Sequence, residues 1–419
     1  MLEHPSAQVK TKCPASYRIS LAAGVAALAL LAVLIAMSPA RLTYDEPDHL
    51  RLAQHVEEIG WPAALNSLDN HCATGPLQPA AQVAASPLTL LQAPAVRWVN
   101  FVFLIVVIIT LAGSSGSNSV QRAWLTGLSI LAVPFFWPTV GLALTELPAL
   151  AAFSVFVLAM RRILTHPGSP TSTPALSWAC VAGVSLGTAI LGRQTYLVVI
   201  PAVVALFAIS PRNWSAWLLC LVLAGFTCGW LFVFWGGMVP SNVAYINNNI
   251  RLDHGVLALS YVAAATLFLR PGWVYPKNRL TLVASLVLGL ILAFATRHYS
   301  NPPSISLMTK ICGEPLALFV GFSIGMLMTA AGVLWLWNTL QAAWAERFNP
   351  WRAFLFLTLF ALLAAPMKIT HLFSSRYVVG LLGVLILYID MAHVSEKLLP
   401  FRLSLGTALG AASLWMYYS

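Results

Sequence analysis

Apolar residues in this chain come in long continuous runs separated by short polar breaks, without the alternation that marks a half-buried strand. Runs of about 18 or more such residues can cross a bilayer as helices, because about 20 residues at helical rise span the hydrocarbon core. They lie at about 18–38, 96–113, 121–137, 143–161, 175–191, 195–210, 214–236, 255–270, 279–295, 315–337, 352–366, 376–394 and 402–418. A spanning β-barrel would need short segments alternating apolar and polar residues. The pattern therefore predicts an all-α polytopic membrane protein with about 13 transmembrane helices. Residues 1–419 read as a single transmembrane domain with no internal repeat or linker. Prolines such as those of VPFFWP, residues 133–138, fall near span ends, where interrupted backbone groups are most easily re-satisfied.

Composition agrees: 59% of residues are hydrophobic, 9% are charged, and the mean hydropathy is +0.80. The net charge of +10 does not indicate nucleic acid, because no contiguous basic cluster exists. Lysines and arginines sit instead at the ends of apolar runs, as the positive-inside rule requires of cytoplasmic segments. With the N-terminus cytoplasmic, the inner segments carry Lys10, Lys12 and Arg18, then Arg122, then Arg161 and Arg162, then Arg212. They continue with Arg270, Lys277 and Arg279, then Arg347 and Arg352, then Lys397 and Arg402, which leaves the C-terminus outside. A cleaved signal peptide is one reading of the first run, since Ser38-Pro39-Ala40 supplies small residues; an uncleaved first helix is the expected one. Cys180, Cys220 and Cys228 fall in apolar runs as core filler. Cys72 and Cys312 fall in outer loops, where an oxidising compartment leaves a bridge between them open.

The outer segments are then about 39–95, 138–146, 192–195, 237–254, 296–314 and 367–376. The first is the longest and holds six of the chain's 13 acidic residues: Asp45, Glu46, Asp48, Glu57, Glu58 and Asp69. Within it, residues 47–60 predict a short amphipathic helix, with Pro47 in its first turn, Gly60 at its end, and Leu50, Ala53 and Val56 or Ile59 along its apolar side. Such a helix suits the membrane interface. A second interfacial piece is expected at about 86–95.

Candidate chemistry concentrates on this outer face, and each candidate has an ordinary alternative. A carboxylate of Asp45-Glu46 at the water–membrane boundary can act as a general base, or simply open a solvated loop. Glu146, near the outer end of the fourth run, is costly in apolar surroundings and so a functional hypothesis, or it snorkels to the interface. Arg193, in GRQTYL, opposes the positive-inside trend and suits a phosphate, or it pairs with Glu146 or a loop carboxylate. Further outer polar groups are Asn247 to Asn249, Arg251, Asp253 and His254; Arg297, His298 and Tyr299; and Lys368, His371, Arg376 and Tyr377. Several basic groups facing an acidic first loop suggest an anionic headgroup at the outer interface. Asp45, Asp48 and His49, or His55 with Glu58, are of ligand type for a divalent ion, at a spacing that matches no strong motif.

Together these elements resemble the GT-C glycosyltransferases, polytopic enzymes that use polyprenyl-phosphate-linked sugars. Members place an Asp or Asp-Glu pair just after the first span, as TYDEPDH does at 43–49, and carry two amphipathic juxtamembrane helices in that loop. A second carboxylate near the outer end of a following span corresponds to Glu146 in LTELPAL. Within the class, DEPDHLRLAQ and the RQT of GRQTYL resemble the dolichyl-phosphate-glucose α-1,2-glucosyltransferase family, a match that covers Asp45, Glu46, His49, Gln54, Arg193, Gln194 and Thr195. The second acidic motif departs, with Thr-Glu where that family tends to carry an aspartate.

The resemblance implies transfer of a hexosyl or pentosyl group from a polyprenyl-phosphate donor to a lipid-linked or protein acceptor. The place implied is the periplasmic or lumenal face of a bacterial inner membrane or the endoplasmic reticulum. Asp45 would deprotonate the acceptor hydroxyl in an inverting single displacement, with Glu46 and Glu146 beside it. His49, Arg193, Gln194, Thr195, Arg297, His298, Arg376 and Tyr377 would bind substrate or phosphate. No cofactor or metal is implied, and a divalent ion is the open alternative. The rival class is a secondary transporter with Glu146 and Arg193 in its substrate or ion path, for which the interrupted repeats common in transporters are lacking.

Overall fold

A computed structural model describes residues 15–66, 74–165, 173–240, 249–296, 313–369, 373–391 and 397–419. All regular structure among them is helical. The first elements are α1 (Ala15–Ala36), α2 (Glu46–Ile59), α3 (Trp61–Asn66), α4 (Leu77–Thr89), α5 (Arg97–Ser114), α6 (Val120–Leu128) and α7 (Trp137–Gly141). They are followed by α8 (Glu146–Thr165), α9 (Thr173–Gly192), α10 (Ile200–Ile209), α11 (Trp214–Trp235), α12 (Leu252–Leu269) and α13 (Arg279–Ala295). Helices Glu314–Ala345, Pro350–Ala364, Arg376–Val379, Leu382–Tyr388 and Leu399–Tyr418 complete the bundle.

Eight of these helices are long and apolar enough to cross a membrane. A ninth span is made if the segment Val120–Ala132 is joined to Pro134–Gly141 across a 79° bend. The remaining expected spans correspond to shorter or less apolar helices: Gln194–Ile209, Arg279–Ala295, the broken pair after Arg376, and Leu399–Tyr418. The last two of these still run from one end of the bundle to the other. At one end, Arg41 donates to the Ser419 carbonyl at 2.9 Å, and the Tyr418 hydroxyl donates to the Gly141 carbonyl at 2.6 Å. At the opposite end, Arg352 donates to the Tyr388 carbonyl at 2.6 Å, and Arg402 to the Phe268 carbonyl at 3.2 Å.

The bend before Glu146 follows from sequence chemistry. Pro134 and Pro138 each lack an N–H and displace a preceding carbonyl, so a continuous helix cannot form. Carbonyls in the break between α7 and α8 are taken up by Asn100 of α5, whose amide donates to the Leu142 and Leu144 oxygens at 2.7 and 3.0 Å. The Trp137 indole likewise donates to the Leu131 carbonyl at 2.8 Å. Interrupted backbone at membrane depth is tolerated when protein groups re-satisfy it in this way. The result is that Glu146 begins α8 instead of lying along it.

The amphipathic helix expected at 47–60 is α2, which buries Leu50, Leu52, Ala53 and Val56. The second interfacial helix lies earlier than the expected 86–95: it is α4, Leu77–Thr89, followed by left-handed Leu90 and Leu91. Its apolar period is masked because the packed face carries Gln78 and Gln82, both fully buried. Gly75 lets this part of the loop close on α9. A Cβ there would lie 1.8 Å from the Leu191 carbonyl oxygen. The backbone contact thus places the first loop beside the GRQTYL turn.

Candidate active site

The chain leaves α1 at Pro39 and enters α2 through Tyr44, whose φ of 57° is left-handed. That conformation is uncommon for a bulky residue and persists only where surrounding contacts impose it. Here the Tyr44 ring lies against Tyr417, centroids 5.5 Å apart, and under the Arg376 guanidinium at 4.8 Å.

Asp45 is the N-cap of α2, but its carboxylate makes no capping bond. An aspartate in this position ordinarily accepts from the helix's first N–H groups. Instead Arg376 donates to Asp45 Oδ2 at 2.7 Å, and the Asp45 side chain remains 41% exposed.

Its neighbour is treated oppositely. Glu46 is fully buried, and Arg97 at the start of α5 forks onto it with Nε–Oε1 at 2.9 Å and Nη2–Oε2 at 2.7 Å. The Thr43 N–H donates to Oε2 and the Ala143 N–H to Oε1, each at 2.8 Å. Arg97 spends its other donors on Ser38 Oγ and on the carbonyls of Pro39 and Arg41, at 2.7, 2.9 and 2.9 Å. The pair therefore staples the exit of α1, the start of α2 and the bend before α8. Glu46, expected among the catalytic carboxylates, has both oxygens engaged and no exposed surface; its geometry is that of a support beneath Asp45.

Glu146 is buried at the first turn of α8 and ion-paired with Arg193, which also donates to Thr145 Oγ1 at 3.2 Å. Arg376 Nη1 lies 3.8 Å from Glu146 Oε1, so one guanidinium faces both carboxylates. Glu146 Oε2 is buried without a partner among the described residues. Glu146, Arg193, Thr195, Tyr196, Arg376 and Tyr377 line one cleft, whose apolar walls include Leu362, Ala365, Pro366 and Ile369. Arg193 also lies over the Tyr377 ring at 5.8 Å. His49, one turn along α2, is partly buried within electrostatic reach of the same four charges. Burial holds its imidazole below the ordinary range; Glu146 and Asp45 pull it up, and Arg376 and Arg193 push it down.

The structure thus brings together Asp45, His49, Glu146, Arg193, Thr195, Arg376 and Tyr377 from four stretches of chain. Gln194 lies beside them in the turn, with a buried amide nitrogen that has no partner among the described residues. Gln54 does not join them: it is exposed, off the packed face of α2. Arg297, His298, His371, and Cys72 with Cys312 lie outside the described residues. Arg251 pairs locally with Asp253 at 2.7 Å, and Asp48 with Arg51 at 3.7 Å. No group of three or more His, Cys, Asp or Glu side chains placed to hold a metal occurs among the described residues. Three residues of the site lie outside the sequence expectations: Arg97, Tyr44 and Tyr196. Arg97 carried a usable signal, an arginine at the end of a span that the charge pattern assigns to the outer face; Tyr44 and Tyr196 carried none beyond their places next to Asp45 and in GRQTYL.

No family model and no curated protein matches the sequence. Among solved structures, the chain is similar to ArnT from Cupriavidus metallidurans bound to undecaprenyl phosphate, with 14% identity and a TM-score of 0.46 over 96% of this chain and 79% of that one. It is also similar to the archaeal oligosaccharyltransferase AglB from Archaeoglobus fulgidus, in complex with an inhibitory peptide and a dolichol-phosphate. There the identity is 13% and the TM-score 0.48, over 95% of this chain and 55% of that one. Likeness at this level does not define chemistry, which rests on the residues of the site.

Proposed function

We propose that this chain is a GT-C-type membrane glycosyltransferase that moves a sugar from a polyprenyl-phosphate donor to an acceptor hydroxyl at the Asp45 end of the bundle. One observation carries the reading. Of two adjacent carboxylates, Asp45 alone is exposed, makes no helix cap, and stands against an arginine that also faces Glu146.

The chemistry follows from that arrangement. The Asp45 carboxylate withdraws the proton of the acceptor hydroxyl as the hydroxyl oxygen attacks the anomeric carbon. The bond to the phosphate oxygen breaks, and polyprenyl phosphate leaves with the bonding pair. Attack opposite the leaving group inverts the configuration. A positioned base contributes about 10²- to 10⁴-fold, and holding two substrates in register contributes more. Arg376 and Arg193 face the charge that grows on the leaving phosphate, where fixed donors count most. Glu146 holds Arg193, and its open oxygen can accept a sugar hydroxyl.

On this reading the cleft faces the periplasm or lumen, and the donor enters sideways from the bilayer. The test is incubation of the purified protein in nanodiscs with polyprenyl-phosphate hexoses and pentoses and a membrane lipid extract, scoring release of polyprenyl monophosphate. Asp45→Asn and Glu146→Gln are run beside the wild type. Release that Asp45→Asn leaves near the wild-type level would sink the assignment of the base. Solute uptake into vesicles without any sugar transfer would replace the enzyme by a transporter.

A further inference from the structure

The cluster beside Asp45 is charge-balanced: two carboxylates, Asp45 and Glu146, face two guanidiniums, Arg193 and Arg376. An anion entering it meets cations that are already paired, so it binds well only by taking a carboxylate's place. The two pairs differ in what that exchange costs. Arg193 and Glu146 are 14% and 3% exposed, and separating them would strand a buried charge. Arg376 is also 14% exposed, but its partner Asp45 is 41% exposed and moves into water when released. Exposed partners of this kind contribute little to holding a pair together. When Asp45 leaves, Arg376 keeps its place, because Glu146 Oε1 lies 3.8 Å from Nη1 and the Tyr44 ring lies 4.8 Å away on its face. A phosphate offers more charge and more acceptor oxygens than a carboxylate, and guanidinium binds it in bidentate fashion.

We infer that the Arg376–Asp45 contact is an exchange site: a phosphate group displaces Asp45 from Arg376 and thereby frees the Asp45 carboxylate. The exchange breaks one charge-assisted hydrogen bond and forms one or two, with no covalent step. Resting on the glycosyltransferase reading, it means that the donor's phosphate binds first and switches on the base, and that the acceptor hydroxyl follows. Without donor, Asp45 is held by the arginine, and the site does not activate stray hydroxyls or water.

Removing the proposed base should therefore improve phosphate binding. Full-length wild type, Asp45→Asn, Arg376→Gln and the double variant are compared in nanodiscs by calorimetry, with farnesyl phosphate and inorganic phosphate as probes. Asp45→Asn is expected to bind farnesyl phosphate about fivefold more tightly than wild type, the scale of a half-exposed pair. The gain should vanish when Arg376→Gln is already present. Asp48→Asn, which removes an exposed carboxylate of the same helix that pairs with Arg51, should give no such gain and so excludes a general charge effect. A gain for both probes marks phosphate itself as the recognised chemistry. A gain for farnesyl phosphate alone marks a phosphate presented on a lipid, and either outcome carries the proposal. Unchanged or weaker binding to Asp45→Asn, an equal gain in Asp48→Asn, or a gain that survives Arg376→Gln overturns it. Because binding is read without turnover, the two readings can fail separately. An Asp45→Asn protein that binds more tightly yet still transfers sugar defeats the base, and one that is inactive but binds no better defeats the exchange.

Discussion

Asp45 and Glu46 are adjacent carboxylates in the same loop, and replacing them should have opposite consequences. In Glu46→Ala, the Arg97 guanidinium would remain fully buried with its two strongest bonds gone. The N–H groups of Thr43 and Ala143, which now donate to Glu46 at 2.8 Å, would also lose their acceptor. Breaking a buried pair by removing one partner costs about 3–5 kcal/mol, and each orphaned buried donor adds about 1–3 kcal/mol where water cannot reach it. Asp45→Asn removes one contact to a half-exposed group, an interaction of at most about 1 kcal/mol. Thermal unfolding in detergent, followed by intrinsic tryptophan fluorescence, should show a large downward shift for Glu46→Ala and almost none for Asp45→Asn. Glu46→Gln should lie between, because it keeps the shape and one acceptor oxygen. The reasoning is refuted if Glu46→Ala melts with the wild type, or if Asp45→Asn is destabilised as much as Glu46→Ala.

Other consequences follow from the same geometry. Tyr44→Phe should keep wild-type turnover, whereas Tyr44→Gly, which relaxes the left-handed backbone but removes the ring against Arg376, should fold normally and lose at least about tenfold in kcat/KM. Gly75→Ala should destabilise the protein by about 1–3 kcal/mol or more and lower activity, because its Cβ would meet the Leu191 carbonyl at 1.8 Å and force the loop off α9; limited proteolysis of the first loop should then accelerate. Since burial holds His49 below the ordinary imidazole range, the unfolded chain takes up a proton that the folded site resists. Stability should therefore be undiminished above the ordinary value of about 6.5 and fall as the pH drops through it. Melting curves between about pH 5 and 8 should show that fall reduced in His49→Gln.

Much of the site could be read from the chain because membrane chemistry makes its residues conspicuous. Glu146 and Arg193 each break an apolar run, and Arg193 and Arg376 oppose the charge asymmetry that accounts for the basic residues of the expected inner segments. The proline-to-glycine signature placed α2 within one residue of Glu46–Ile59. The second loop helix was misplaced because buried amides at Gln78 and Gln82 interrupt the period that would have revealed it. The distinction between Asp45 and Glu46 was not legible at all. It depends on Arg97, 51 residues further along, and on the Ala143 N–H in the break between α7 and α8. Gln54 matched a family motif but lies one position past the packed face of α2, where the helical period puts it in solvent. Pairings between distant spans are set by packing, which a hydropathy pattern does not encode.

The role proposed for the Asp45 carboxylate is to take the acceptor proton. Its most direct test is the single-turnover rate of sugar transfer by Asp45→Asn in nanodiscs, with donor saturating and the melting temperature checked against wild type. The expected result is a fully folded protein whose rate is lower by about 10²- to 10⁴-fold. A folded Asp45→Asn protein that transfers sugar at the wild-type rate would contradict it.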